Sequence, residues 1–135
     1  MRIMGLDIGD KRIGIAISDP TEMLASPFRI ISRNSEEQSI RELSDLIIQN
    51  DIKKIVIGLP YSLDGSLGEQ SIKTISYVDK LKIITNIEIV FVDERLSSIS
   101  AKKLMNAANR KKTKNKIFVD SAAAAVILQG FLDRK

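Results

Sequence analysis

Two short apolar runs open the chain, at residues 3–9 and 13–17, and a polar stretch separates them. This spacing predicts two strands joined as a hairpin. A third strand is expected over residues 23–32. Within it, Pro27 indicates an edge position or an irregularity, because proline cannot donate a hydrogen bond to a neighbouring strand.

Two later runs, at residues 54–58 and 87–92, are continuously apolar, which is typical of buried parallel strands. Hairpin strands followed by strands that alternate with helices predict an α/β fold. We expect a five-stranded mixed sheet, with three antiparallel strands followed by two parallel ones and helices on both faces. The length favours a single domain over residues 1–135.

Between and after the strands, apolar residues recur with a helical period. Ser35 and Ser66 each begin a capping-box pattern, which predicts helices that end near positions 50 and 82. The second helix is expected to bury Ile72, Ile75, Val78 and Leu81. Further helices are expected over about residues 97–107 and from Asp120 onwards.

The composition restricts the chemistry that the chain can perform. None of its 135 residues is a cysteine or a histidine, which excludes disulfides, thiolate metal sites and the usual zinc ligands. A bound metal would be a hard ion held by oxygen atoms, which indicates Mg²⁺ or Mn²⁺. No apolar run approaches the length of a membrane span, and the N-terminus lacks a signal-peptide pattern. We therefore expect a soluble cytoplasmic protein without a membrane partner.

Positive charge is concentrated in one segment. The formal net charge is +4, and residues 102–116 contain seven basic side chains and no acid. Such a segment is typical of a surface that binds a polyanion, although a solvated loop has the same composition. Aromatic residues are few, which favours recognition of a nucleic-acid backbone over base stacking.

Acidic residues interrupt or end several predicted core elements. Asp7 lies within the apolar first strand, where an ionised carboxylate normally pairs with a cation or takes up a proton. Asp93 and Glu94 follow the fifth strand, and Asp120 begins the last helix. Carboxylates from separate elements can converge at one sheet edge and hold divalent ions that hydrolyse a phosphodiester. Asp120 could instead cap its helix, and Asp93 and Glu94 could pair with basic side chains at the surface.

Two further places could bind phosphate. The loop over residues 58–68 is rich in glycine and leads into the second helix, so Ser66 could help to bind an anion or could merely cap the helix. It is not a Walker loop, because the Gly-Lys-Ser/Thr sequence is missing. Lys11 and Arg12, in the predicted hairpin turn, could contact phosphate or screen the neighbouring acids.

Four segments, in the order of the chain, resemble the YqgF/RuvX family. They are Gly5-Leu6-Asp7-Ile8-Gly9 with Lys11-Arg12-Ile13-Gly14 and Ser18-Asp19, Val56-Ile57-Gly58-Leu59-Pro60 with Asp64-Gly65-Ser66, Asp93-Glu94-Arg95-Leu96-Ser97, and Lys116 with Asp120-Ser121-Ala122-Ala123. The resemblance covers essentially the whole sequence. It implies a ribonuclease H-like fold, similar to Holliday-junction resolvases of the RuvC type. The implied activity is a nuclease that processes the 5′ end of the 16S rRNA precursor during ribosome biogenesis.

The same resemblance implies that Asp7, Glu94 and Asp120 are the catalytic and metal-binding residues. The sequence departs from the resolvase pattern in one respect: the strand that ends at Gly58 supplies no carboxylate, so the middle acid comes from the next strand. The residues expected to contact nucleic acid are Lys11, Arg12, Ser66, Arg95, Arg110, Lys111, Lys112, Lys114 and Lys116.

The principal expectation is a metal-dependent hydrolase of structured RNA, acting as a monomer or a homodimer. Three other functions are alternatives, and the last of them is the weakest. Resolution of branched DNA in recombination and repair would need a symmetric dimer. A nucleic-acid-binding role in ribosome assembly would need no catalysis. An enzyme related to sugar kinases and actin-like ATPases is disfavoured, because the chain is too short for their two lobes.

Overall fold

The computed structural model describes residues 1–59, 68–93 and 116–134, and for residues 116–120 it describes the backbone alone. The strands in these ranges are β1 (Arg2–Ile8), β2 (Arg12–Ser18), β3 (Ala25–Ser32), β4 (Ile52–Leu59) and β5 (Glu88–Asp93). The helices are α1 (Glu36–Gln49), α2 (Glu69–Ile84) and α3 (Lys116–Asp133). The helix predicted over residues 97–107 lies outside the described residues.

The strands form one mixed sheet in the order β3-β2-β1-β4-β5. β1 pairs antiparallel with β2, and β2 pairs antiparallel with β3. β4 pairs in parallel with both β1 and β5. The predicted mixed sheet is therefore confirmed, and the first strand is the central one. Pro27 lies in the edge strand β3, at the point where the β2–β3 register shifts.

Both faces of the sheet are covered by helices, as predicted. Alternate residues of β1 face opposite sides. Met4, Leu6 and Ile8 belong to a core with α1 and α2, whereas Ile3 belongs to a second core with α3. The face that a β1 residue occupies therefore decides which helices it meets.

The first helix begins as predicted. The Ser35 hydroxyl accepts a hydrogen bond from the Gln38 N–H at 3.2 Å, and Ile40, Leu43 and Ile47 are buried on one side of α1. These are local signals, and they place the helix to within a residue at each end.

The buried face of α2 differs from the prediction. Ile72, expected in the core, is 60% exposed, while Ser71 and Thr74 are buried. The reason is a contact between helices: the Tyr77 hydroxyl lies 2.7 Å from the Ser39 hydroxyl of α1. The buried face of α2 thus contains this polar pair together with Val78 and Leu81, which are buried as predicted. The helix also begins after Gly68 without a side-chain cap, and Ser66 lies outside the described residues.

The last helix begins four residues earlier than predicted. α3 starts at Lys116, so Asp120 is its fifth residue. Residues 117–119 are β-branched or aromatic and have lower helix propensities than alanine or leucine, which is why the sequence pattern favoured a start at the acid. Because an N-cap residue precedes the first helical residue, Asp120 does not occupy the N-cap position.

A glycine permits the close packing of α3 on the central strand. A Cβ atom at Gly5 would lie 2.7 Å from the Leu128 Cβ atom and 2.9 Å from the Ala124 carbonyl oxygen. Neither distance can be accommodated without a shift of the helix. The buried small side chains of Ala124 and Ala125 contribute to the same close approach.

We expect Gly5→Ala to lower the free energy of unfolding by about 1–3 kcal/mol, because a densely packed core tolerates an added methyl group poorly. Urea denaturation followed by circular dichroism measures this change. Ala123→Leu enlarges an exposed position of the same helix and serves as the control, with an expected change within about 0.5 kcal/mol. Equal stability of Gly5→Ala and the wild-type protein would contradict the close packing of α3 on β1.

Candidate active site at the end of the central strand

Asp7 is the next-to-last residue of the central strand, where it pairs with Gly14 of β2 and is partly exposed. Its side chain shares a face with Ile3 and Gly5, because successive strand side chains alternate. α3 covers that face. The predicted position of Asp7, near the end of a central hairpin, is confirmed.

Contacts along α3 establish its direction relative to β1. Near the C-terminal end of α3, the Phe131 ring lies 5.4 Å from the amino group of Lys54, at the start of β4. Lys54 pairs with Ile3 of β1, whereas the earlier helix residue Leu128 lies against Gly5, two residues further along β1. The helix α3 therefore runs antiparallel to β1. From Gly5 to Asp7 the strand advances by about 6.6 Å, which corresponds to about four helix residues. Asp7 therefore lies level with the part of α3 that begins near position 120.

The neighbouring strand contributes a glycine at the level of Asp7. Leu6 of β1 pairs with Ile57 of β4, so the next residue of β4, Gly58, lies beside Asp7. On its other side, Gly58 pairs with Val92 of β5. Val92 packs on the α3 side of the sheet, so the alternation of β5 assigns Asp93 to the opposite face. Asp93, whose role the sequence left open, therefore does not share the face of Asp7.

The remaining predicted site residues divide into two groups. Lys11 and Arg12 are exposed at the turn between β1 and β2. The predicted residues that fall outside the described ones are Ser66, Glu94, Arg95, Arg110, Lys111, Lys112 and Lys114. For Lys116 and Asp120, only the backbone position in α3 is described. Within the described part of the chain, no group of three metal-ligating side chains lies close enough to hold an ion.

Arg33 lies next to this site and was not predicted from the sequence. Its Nη1 atom donates a hydrogen bond to the Gly9 carbonyl at 2.5 Å, and its backbone N–H donates to the Lys11 carbonyl at 2.9 Å. The guanidinium also lies 4.6 Å from the centre of the Tyr77 ring. The one signal in the sequence is an arginine directly after the third strand, which has no spacing motif attached to it.

Ser18 and Asp19, although part of the resembling segments, lie at the end of β2 remote from Asp7 and have structural roles. Ser18 accepts a hydrogen bond from the start of β1 at 2.9 Å. The Asp19 carboxylate accepts hydrogen bonds from the Leu24 N–H and the Thr21 hydroxyl. These two bonds, the first above all, hold the pKa of Asp19 well below its ordinary value.

A family model for RuvX, described as Holliday junction resolvase, matches residues 1–134. The chain belongs to the RuvX family. A protein named "Putative pre-16S rRNA nuclease" from Desulforamulus reducens is 40% identical over 133 residues, which cover 98% of this chain and 97% of that protein. A protein of the same name from Clostridium botulinum is 44% identical over 133 residues, with the same coverage.

The fold of this RuvX-family chain is similar to that of solved resolvase structures. Thermus thermophilus RuvC in complex with a Holliday junction substrate superposes with a TM-score of 0.65 at 8% identity, covering 99% of this chain and 96% of that one. The fowlpox virus Holliday junction resolvase superposes with a TM-score of 0.61 at 17% identity and covers both chains completely. The implied ribonuclease H-like fold is thereby confirmed. None of the three described helices of this RuvX-family chain is long and apolar enough to cross a membrane.

The hydrogen bonds to Asp19 predict a dependence of stability on pH. A carboxylate with a lowered pKa stabilises the folded state fully above the pKa of the unfolded chain, about 4, and progressively less as the pH falls below it. We therefore expect Asp19→Asn to be less stable than the wild-type protein at pH 7, with a difference that shrinks below about pH 4. Urea denaturation at several pH values measures this difference. Asp79→Asn, at an exposed position of α2, is the control, and a gap for Asp19→Asn that stayed constant down to pH 3 would contradict the assignment.

Proposed function

We propose that the chain is a metal-dependent nuclease that hydrolyses phosphodiester bonds in structured RNA, as a single domain over residues 1–135. Its proposed substrate is the 5′ end of the 16S rRNA precursor. The names of relatives that are 40% and 44% identical over 98% of the chain support this substrate. The observation that carries the chemistry is the Asp7 carboxylate, at the end of the central strand and on the face that α3 covers.

Asp7, Glu94 and Asp120 are the proposed catalytic and metal-binding acids. Asp120 belongs to the part of α3 that begins level with Asp7. Val92 of β5 packs on the α3 side of the sheet, and Glu94 follows it by two residues in the sequence. Gly58 adds no side chain between them, which favours a site built by acids from the outer elements.

The available donors fit a hard divalent cation. Because the chain contains no histidine and no cysteine, its strong ligands are carboxylate oxygens, which Mg²⁺ and Mn²⁺ prefer. When bound, such an ion would polarise the scissile phosphate and activate water. Asp7 would present its carboxylate in a fixed position, because β1 is hydrogen-bonded on both sides, to β2 and to β4.

Basic side chains are proposed to bind the RNA backbone. Lys11 and Arg12 would contact phosphates beside the site, since both are exposed on the turn that follows Asp7. The contact would extend over Ser66, Arg95, Arg110, Lys111, Lys112, Lys114 and Lys116. Such charges supply affinity that does not depend on sequence, whereas the acids supply the chemistry. A cytoplasmic location is part of the same proposal.

Resolution of branched DNA is the second candidate. The family description and the likeness of the fold to resolvases favour it. Symmetric cutting of a junction requires a symmetric dimer, so sedimentation of a monomer at micromolar concentration would count against it. Cleavage assays on precursor RNA and on a synthetic four-way junction, each with Mg²⁺ or Mn²⁺, separate the two activities. A protein inert on both substrates would favour a non-catalytic role in ribosome assembly.

Asp7→Asn is expected to reduce RNA cleavage by at least about a hundredfold, because metal-assisted charge stabilisation contributes several kcal/mol and each 1.4 kcal/mol is a tenfold change in rate. The measurement is single-turnover cleavage of precursor RNA with Mg²⁺ or Mn²⁺. The circular dichroism spectrum should stay that of the wild-type protein. Asp10→Asn removes the same charge from the adjacent exposed turn and should retain activity. Cleavage by Asp7→Asn at the wild-type rate would remove Asp7 from the site.

Neutralising the basic segment is expected to weaken RNA binding mainly through its salt dependence. A Lys111→Gln, Lys112→Gln, Lys114→Gln variant should lower the slope of log Kd against log salt by about two to three, since each phosphate contact contributes roughly 0.7–0.9. Fluorescence anisotropy with labelled RNA over a range of salt concentrations measures the slope. The control removes three exposed or half-exposed charges elsewhere, at Lys53, Lys73 and Lys82. An unchanged slope in the first variant would remove the segment from the interface.

A further inference from the structure

We infer that Arg33 is a positioning residue that holds the turn after Asp7 in the geometry needed for cleavage, an inference that rests on the proposed nuclease function. The turn joins the end of β1 to the start of β2. It is closed by a hydrogen bond from the Gly9 N–H to the Arg12 carbonyl at 2.9 Å. It therefore connects the proposed metal ligand Asp7 to the exposed cations Lys11 and Arg12.

Arg33 binds this turn at two points. The Arg33 side chain holds the Gly9 carbonyl at 2.5 Å, and the Arg33 backbone N–H holds the Lys11 carbonyl at 2.9 Å. Gly9 is two residues from Asp7, whereas Lys11 lies on the β2 side of the turn. The two contacts can be separated by mutation, because a side-chain substitution removes the first and leaves the second.

The Arg33 guanidinium is itself fixed by both helices on its face of the sheet. Its side chain is only 14% exposed, with the Glu36 carboxylate of α1 at 3.7 Å. The Tyr77 ring of α2 lies 4.6 Å away, and the Tyr77 hydroxyl is paired with Ser39 at 2.7 Å. A planar guanidinium satisfied by a carbonyl, a carboxylate and an aromatic face has little freedom to move.

The effect of Arg33 on the site is indirect. Ile8, with the α1 and α2 core, and Asp7, with the α3 side, lie on opposite faces of the sheet. The guanidinium approaches from the side of α1 and α2, and it reaches the site through the Gly9 carbonyl. Loss of the side chain should therefore disturb the placement of Asp7 more than the presentation of Lys11 and Arg12. The step most affected is cleavage rather than RNA binding.

The test compares Arg33→Met and Arg33→Lys with the wild-type protein in cleavage of precursor RNA with Mg²⁺ or Mn²⁺. We expect Arg33→Met to lower kcat by about tenfold or more, since small misplacements of a reacting group have effects of this size. The RNA concentration for half-maximal rate should change by less than about twofold, because the phosphate contacts remain. Arg33→Lys should recover part of kcat, because lysine keeps the charge and can donate to the Gly9 carbonyl.

Two further measurements distinguish positioning from general stability. Amide hydrogen exchange should become faster at Gly9 in Arg33→Met, while the amides of α1 and β4 stay protected. Arg41→Gln is the matched control, because it removes an arginine–glutamate pair, 2.6 Å in length, from the exposed side of α1 without a contact to the turn. It should keep the wild-type kcat and the wild-type exchange at Gly9.

The outcomes separate this inference from the proposed function. A wild-type protein that cleaves, together with Arg33→Met that cleaves equally well, overturns the role of Arg33 alone. Exchange that becomes faster throughout the sheet, or a loss of kcat shared by Arg41→Gln, also overturns it, because the effect is then one of stability. A wild-type protein that cleaves no precursor RNA overturns the proposed function and this inference with it.

Discussion

The close approach of α3 to the central strand is the constraint on which the rest of the structure depends. Gly5 leaves the space that the Leu128 side chain and the Ala124 carbonyl occupy. A helix held this close to β1 cannot slide along it without steric overlap, because packed interiors have few voids. The contact therefore fixes how far along β1 the helix begins, and it keeps the N-terminal part of α3 level with Asp7.

The helices on the opposite face of the sheet also contact the end of the sheet where Asp7 lies. There, α1 and α2 hold the Arg33 guanidinium against the turn that follows Asp7. A residue at the end of a strand would otherwise be held by strand pairing on its N-terminal side only, and the chain after it would be free to move. Asp7 is instead held by its pairing with Gly14 of β2 and by the turn that follows it, which is bound from the other face. The catalytic role proposed for Asp7 would need such preorganisation, because rate falls steeply with misplacement.

The sequence predicted the features that depend on local signals. The hairpin, the five strands and the cap of α1 at Ser35 follow from apolar runs, turn residues and capping, which act over a few positions. Asp7 could also be located, because a carboxylate within an apolar strand is an energetic exception that needs no structure to detect. The order β3-β2-β1-β4-β5 agrees with the predicted mixture of antiparallel and parallel pairs.

Tertiary contacts account for what the sequence could not predict. The buried face of α2 includes the contact between Tyr77 and Ser39, which are 38 positions apart. Arg33 meets Gly9 across 24 positions, and no spacing rule covers such a contact. The face of Asp93 follows from the packing of Val92 on the α3 side of the sheet and from the alternation of β5. In each case the deciding partner belongs to another element, so the local pattern contains no information about it.

Gly58 leaves the strand next to Asp7 without a side chain at the level of the proposed site. In a parallel sheet the adjacent strand is the nearest source of a second carboxylate, yet β4 carries a glycine at the level of Asp7. The other two acids proposed for this site, Glu94 and Asp120, therefore come from the segment after β5 and from α3, and not from a strand paired with β1. The geometry of the proposed metal site would thus depend on the sheet and on the close packing of α3 at Gly5, as well as on the acids themselves.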